Sequence, residues 1–259
     1  MATEVHLERR GAVAVLTLDG PDRLNAIGRT TLVSLTHALD EVSEDEGLRA
    51  VVVTGAGKAF SAGADLDEIE PLTSPAALAE HLEAFTDTYG RLESLPKPTV
   101  AALDGIALGG GLELALACDL RIGSSVARVG LPEVKLGLLP GAGGTQRIVR
   151  LLPVSVARAL VLTGEPLDAT DALRHGLFSE VTEPGAALDA AVAVADQLAV
   201  LPPLALAAAK RLLATGPELA LDEAIALERS EVAALFDTKD RLEGFSAFRA
   251  RRPPAFTGR

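Results

Sequence analysis

Lys97-Pro98-Thr99-Val100-Ala101-Ala102-Leu103-Asp104-Gly105, running through Ile106-Ala107-Leu108 into Gly109-Gly110-Gly111-Leu112-Glu113-Leu114-Ala115-Leu116-Ala117-Cys118, carries the pattern that decides the fold. Residues 98–103 form an apolar run of strand length closed by Asp-Gly, and residues 110–118 read as a buried helix carrying one carboxylate. Glycines let the backbone come close to a ligand. A helix start presents unpaired N–H groups with partial positive charge, so the segment suits developing negative charge beside an acid or base.

Upstream, residues 13–18 read as a strand ended by Asp19-Gly20-Pro21, and residues 31–42 as a helix with Leu32, Leu35, Leu39 and Val42 on one face. A second apolar strand at 50–54 is closed by Gly55-Ala56-Gly57; a loop around Ser61-Ala62-Gly63 and a helix over 75–92 follow. Downstream, short strands are predicted at 120–122 and 127–130. From Ser155 the signals turn helical: 156–162, then 169–175 between the cap Asp168 and Gly176, then 188–198, 204–214, 220–236 and 241–248. Leu221, Ile225, Val232 and Leu235 share one apolar face. The expectation is an α/β body over residues 1–195 and a helical region over 196–259, without fixed-period repeats.

The 259 residues are 48% apolar, enough for a sizeable core. A formal net charge of −12 argues against general affinity for nucleic acid or an anionic membrane, the one basic cluster being Arg249, Arg251 and Arg252. The longest apolar stretches are interrupted by Asp104 and Glu113, or by Asp189, Asp196 and Pro202-Pro203, so no membrane span is expected. Residues 1–20 carry no basic-then-apolar leader pattern, and the single Cys118 excludes an intrachain disulfide; both lead to a cytoplasmic expectation.

Gly55-Ala56-Gly57-Lys58 superficially suggests a nucleotide loop, but Ala59, Val53 and Phe60 stand where the phosphate-loop and dinucleotide fingerprints need other residues. His6, His37, His81 and His175 lack metal spacing, so no metal is expected. Glu113 is different. A charge on that apolar helix costs several kcal/mol unless it is hydrogen-bonded or protonated, which leaves a carboxylate satisfied by helix amides or an arginine, or a functional acid. Glu133, in Gly130-Leu131-Pro132-Glu133-Val134-Lys135-Leu136-Gly137, is open to the reading of an exposed loop glutamate paired with Lys135. The run Gly141 to Thr145 is open to that of a flexible helix entry.

Taken together, four ordered stretches resemble the enoyl-CoA hydratase/isomerase (crotonase) family. They are Arg23-Leu24-Asn25-Ala26, the run from Lys58 to Leu66, the opening stretch to Glu113, and Leu131-Pro132-Glu133 on to Gly141-Ala142-Gly143-Gly144-Thr145-Gln146-Arg147. The tail from Phe236 to Phe245 matches the family's usual ending. The resemblance implies a spiral of ββα units, a C-terminal helical trimerisation region, a homotrimer or homohexamer (dimer of trimers), and an acyl-CoA thioester as ligand, with no separate cofactor. It places the oxyanion-binding amides at Ala64 and Gly110 and the catalytic carboxylates at Glu113 and Glu133. The substrate-binding positions it implies are Arg23, Ala26, Ala62, Gly63, Asp65 and Leu66 on one side, and Leu108, Gly109, Pro132 and Gly141 on the other.

Two carboxyl groups suit hydration of a trans-2-enoyl thioester, which needs a base for water and a proton for the α-carbon. Retention of both favours a hydratase over an isomerase of the same family, which needs one base, and over an idle acyl-CoA-binding oligomer. Asp67 and Glu68 depart from the family pattern, in which a lysine often stands near the coenzyme phosphates; Arg249, Arg251 and Arg252 offer other phosphate contacts.

Overall fold

Alternating residues of the central strands face two different apolar layers, and this explains why those strands are apolar throughout. The computed structural model describes residues 2–259. In chain order it runs β1 (Glu4–Arg10), β2 (Val13–Asp19), α1 (Arg29–Glu44), β3 (Ala50–Gly55), β4 (Ala59–Ser61), α2 (Leu66–Ile69), α3 (Pro75–Ser94), β5 (Thr99–Leu103), β6 (Ile106–Leu108) and α4 (Gly110–Leu116). There follow β7 (Leu120–Ser124), β8 (Arg128–Gly130), a 3-10 turn (Pro132–Leu136), α5 (Gly144–Leu151), α6 (Val154–Thr163), β9 (Leu167–Asp168), α7 (Ala169–Arg174) and β10 (Glu180–Thr182). The chain ends with α8 (Ala187–Ala199), α9 (Pro203–Thr215), another 3-10 turn (Gly216–Glu218), α10 (Leu221–Leu235) and α11 (Lys239–Ala250).

A six-stranded sheet has the order β1-β2-β3-β5-β7-β10, parallel except for the β1–β2 hairpin; a four-stranded sheet has the order β4-β6-β8-β9. Three times the chain lays a strand in the large sheet, a short strand in the small one, and then a helix: β3-β4-α3, β5-β6-α4 and β7-β8-α5. These are the windings of a ββα spiral. Register runs Leu16 to Val53 to Ala101 across the large sheet, so these side chains face one core with α1, α3 and α4. Val15, Val52, Val100 and Ile122 face the other way, onto Ala187, Ala191 and Ala195 of α8. Alanine at every fourth position lets α8 lie close to the sheet.

Several elements differ from the sequence reading. The strand β1 was missed because it is an edge strand with half-buried and exposed side chains, which weakens its apolar signal. The loop around Ser61-Ala62-Gly63 begins within β4, and β6 fills the gap between the third strand and the glycine run. Strands continue past Ser155 as β9 and β10, both too short to carry a period. Asp168 caps α7 by accepting from Asp171 N at 2.9 Å, as expected of it. No single helix among the described residues is long and apolar enough to cross a membrane.

Candidate active site

The ends of the small sheet and the helices after it surround a cavity of about 790 Å³. Five separate segments wall it: the turn 22–26, residues 62–69, α3 through Leu78, Leu82 and Phe85, the start of α4, and residues 132–142. The first is pinned by Asn25, whose amide group donates to Ala56 O at 2.9 Å and Ala59 O at 2.8 Å and accepts from Gly20 N at 3.0 Å. Asn25 is fully buried at φ +55°, a left-handed conformation that asparagine tolerates better than most residues.

Two amides meet at the centre. Gly63 at φ +107° and Gly109 at φ +50° turn the chain so that Ala64 N and Gly110 N come side by side. A Cβ on Gly110 would stand 3.3 Å from Ala64 N, and one on Gly63 would stand 3.4 Å from Gly110 N. Neighbouring N–H groups are used: Gly109 N donates to Gly130 O at 2.9 Å, Gly63 N to the Ser61 hydroxyl at 3.1 Å, and Asp65 N to Ile27 O at 2.8 Å. The amides of Ala64 and Gly110 have no such partner. Tyr89, fully buried on α3, donates its hydroxyl to Gly110 O at 2.9 Å and so holds the Gly110–Gly111 peptide, next to the one whose N–H faces the cavity.

Glu113 lies one turn into α4, only 3% exposed, and its Oε1 accepts from Ala142 N at 2.8 Å and Gly144 N at 2.7 Å. The second amide belongs to the first turn of α5, so the run Gly141 to Thr145 is a carboxylate cradle as well as a helix entry. Arg147 ties the cradle down: its Nη1 donates to Ala142 O at 2.8 Å and its Nη2 to Glu93 at 2.7 Å. Burial pushes the Glu113 carboxyl above the usual carboxylate range, opposed by the Gly144 and Ala142 amides and by the charge of Arg147.

Glu133 lies in the 3-10 turn after β8, with one carboxylate oxygen 3.0 Å from where a Gly109 Cβ would be. Its Oε2 is buried without a hydrogen-bond partner. Burial, with the nearby Glu113 charge adding, pushes its carboxyl up to about 7. The exposed-loop reading fails here, because Lys135 points away to Glu165 at 2.7 Å.

Of the other positions suggested by the sequence, Arg23, Ala26, Ala62, Gly63, Asp65, Leu66, Gly109, Pro132 and Gly141 line the cavity. Leu108 does not: its carbonyl packs beneath Gly63 and its side chain lies near Gly130. The Arg23 charge is already matched by Asp65 at 2.7 Å and Asp67 at 2.5 Å. Glu68 turns instead to the start of α1, accepting from Arg29 N at 2.9 Å. In the tail, Arg252 pairs with Glu243 at 2.6 Å. Sequence reasoning missed Leu78, Leu82 and Phe85, which share one stripe of α3 with Tyr89 at helical spacing and carry no polar signature to separate cavity from core.

Comparison with known proteins agrees with this architecture. Residues 8–259 match the family described as enoyl-CoA hydratase/isomerase. The 2,3-dehydroadipyl-CoA hydratase of Escherichia coli is 40% identical over 257 residues, covering 99% of this chain and 100% of the relative. The short-chain-enoyl-CoA hydratase of Clostridium acetobutylicum is 39% identical over 249 residues, 96% of this chain and 95% of its own. The crystal structure of an enoyl-CoA hydratase from Bacillus anthracis superposes with a TM-score of 0.94 at 35% identity, covering 100% of both chains. With the ββα spiral, the full-length likeness and the family match in agreement, this chain belongs to the enoyl-CoA hydratase/isomerase family.

Proposed function

We infer that this protein is an enoyl-CoA hydratase, adding water across the 2,3 double bond of a trans-2-enoyl-CoA to give a 3-hydroxyacyl-CoA. The observation that carries the reading is the convergence of two buried carboxyl groups and two unpartnered amides on one cavity. The thioester oxygen is held by the N–H groups of Ala64 and Gly110, which stabilise the enolate more than the ground-state carbonyl. Glu113, held in place by its two amides, takes a proton from water as the oxygen attacks C3. The electron pair moves to the thioester oxygen, and Glu133, with its carboxyl raised to about 7, supplies the proton to C2. Proton exchange between the two carboxyls, which titrate as a pair, restores the starting state. The coenzyme A part of the substrate runs past Ala62, Gly63 and Leu66, with Arg23 and Ala26 along its path.

A trimer or dimer of trimers fits the helical C-terminal region, where α10 and α11 present Leu221 at 76% exposure and Phe248 at 85%. The activity test is loss of conjugated thioester absorbance when purified protein meets crotonyl-CoA, beside Glu113→Gln and Glu133→Gln. Wild-type turnover with both variants slowed about 100-fold or more is the expected result. Isomerisation of a 3-enoyl-CoA without any hydration would overturn it.

A further inference from the structure

The cavity has a direction. Arg23 pairs with Asp65, next to Ala64; Ala64 N meets the Gly110 end of α4; Glu113 reaches the amide of Ala142; and Gly141 rests against Leu82. A Cβ on Gly141 would stand 2.7 Å from a Leu82 methyl. Leu82 thus ends a path of contacts that starts at Arg23 and passes the paired amides, with Leu78, Leu138 and Leu139 also on the wall.

The charges on that wall are one-sided. Among the described residues Arg23 is the only cation lining the cavity, and it is already held by Asp65 and Asp67. Every other ionisable side chain there is acidic: Asp22, Asp65, Asp67, Glu113 and Glu133. No hydroxyl, amide or imidazole side chain joins them among the described residues.

We propose that the acyl group accepted here is uncharged along its whole length, with Leu82 and Leu139 selecting against an acyl chain that ends in a carboxylate. The direction of the acyl chain rests on the hydratase reading, which puts the thioester at Ala64 and Gly110. A distal carboxylate carried past that point to Leu82 meets no donor among the described side chains of the wall and adds a negative charge near Glu113 and Glu133. The resulting selectivity is about 100-fold or more, since an unpaired buried polar group discriminates more strongly than an extra methylene. The six-carbon chain of 2,3-dehydroadipyl-CoA, for which the E. coli relative is named, is the informative contrast.

The experiment compares trans-2-hexenoyl-CoA with 2,3-dehydroadipyl-CoA as substrates, and the saturated hexanoyl-CoA with adipyl-CoA as ligands, on the purified full-length chain. Each pair differs only in a distal methyl against a carboxylate. The expected result is a kcat/KM ratio of about 100 or more for the uncharged member, with binding following the same order. Leu82→Arg and the more exposed Leu139→Arg are each expected to narrow the ratio by about 10-fold through a charge-assisted contact. Equal turnover of both enoyl thioesters overturns the proposal and leaves the hydratase reading intact. Selective binding of hexanoyl-CoA without turnover of either substrate supports the proposal and sinks that reading. Two folded arginine variants with an unchanged ratio would remove Leu82 and Leu139 as the selecting residues.

Discussion

Substituting Gly144 by alanine is the sharpest probe of the Glu113 cradle. The new Cβ would stand 2.8 Å from Glu113 Oε1, 3.0 Å from its Cγ and 2.9 Å from the Pro140 ring. Carbon and oxygen need more room than that, so the carboxylate or the helix start shifts by a few tenths of an ångström. The present amide contacts of 2.7 and 2.8 Å lengthen as a result. Hydrogen bonds to a charged group contribute about 1.5–3 kcal/mol, and losing half of one such bond costs about 1 kcal/mol and raises the Glu113 carboxyl further. The same displacement moves the water-activating oxygen off line, for a further loss of about 10- to 100-fold in kcat/KM. The assay is the pH dependence of kcat/KM for crotonyl-CoA, with thermal unfolding alongside. The acid limb is expected to move to higher pH in Gly144→Ala, with a fall in Tm of about 2–4 °C per kcal/mol lost. A folded variant with an unmoved acid limb and a rate within about twofold of wild type would refute the idea that this peptide tunes Glu113.

Three other perturbations follow from the same geometry. Tyr89→Phe removes the side-chain donor to the Gly110 carbonyl in a buried site; the expected cost is about 1 kcal/mol of stability by denaturant titration, with a fall in kcat larger than any change in KM. Glu133 has a folded-state carboxyl raised to about 7 from 4.5, so its contribution to stability is present below about pH 4.5 and is lost as pH rises through 7. Glu133→Gln should flatten that part of the Tm-against-pH curve, and an unchanged slope counts against a raised carboxyl at this position. Arg23→Ala leaves Asp65, only 7% exposed, without its cation; calorimetry with coenzyme A and a KM measurement should both show weaker binding.

The inner large-sheet strands β2, β3 and β5 were legible in the sequence because both of their faces are apolar. Ala50 to Thr54 needs no period to be recognised when each neighbour packs against either α8 or the α1–α3–α4 side. In the small sheet β8 was legible, but β4, β6 and β9 were not, because they span two or three residues and are defined by their pairing partners. At the site, Glu113 stood out as a charge in an apolar helix, whereas Glu133 had an equally ordinary loop reading until burial of its Oε2 removed it. The cradle amides at Ala142 and Gly144 had no side-chain signature at all, being backbone groups. Leu82 and Phe85 were hidden for the opposite reason: a cavity wall and a packed core ask for the same residues.

Because the cavity is walled by five segments drawn from residues 22–142, its walls are brought together by pairings distant in the chain. Partial folding cannot supply a half-formed version of it, since the two amides arrive on different windings of the spiral and the Glu113 cradle on a third. Such a site closes late, after the long-separation pairings have been made. Any molecule that occupies it then binds the completed fold and not its precursors, so saturating acyl-CoA stabilises the native chain by mass action. At a ligand concentration about 100 times Kd the gain is about 2.7 kcal/mol, making the substrate pool itself a determinant of how much of this protein stays folded.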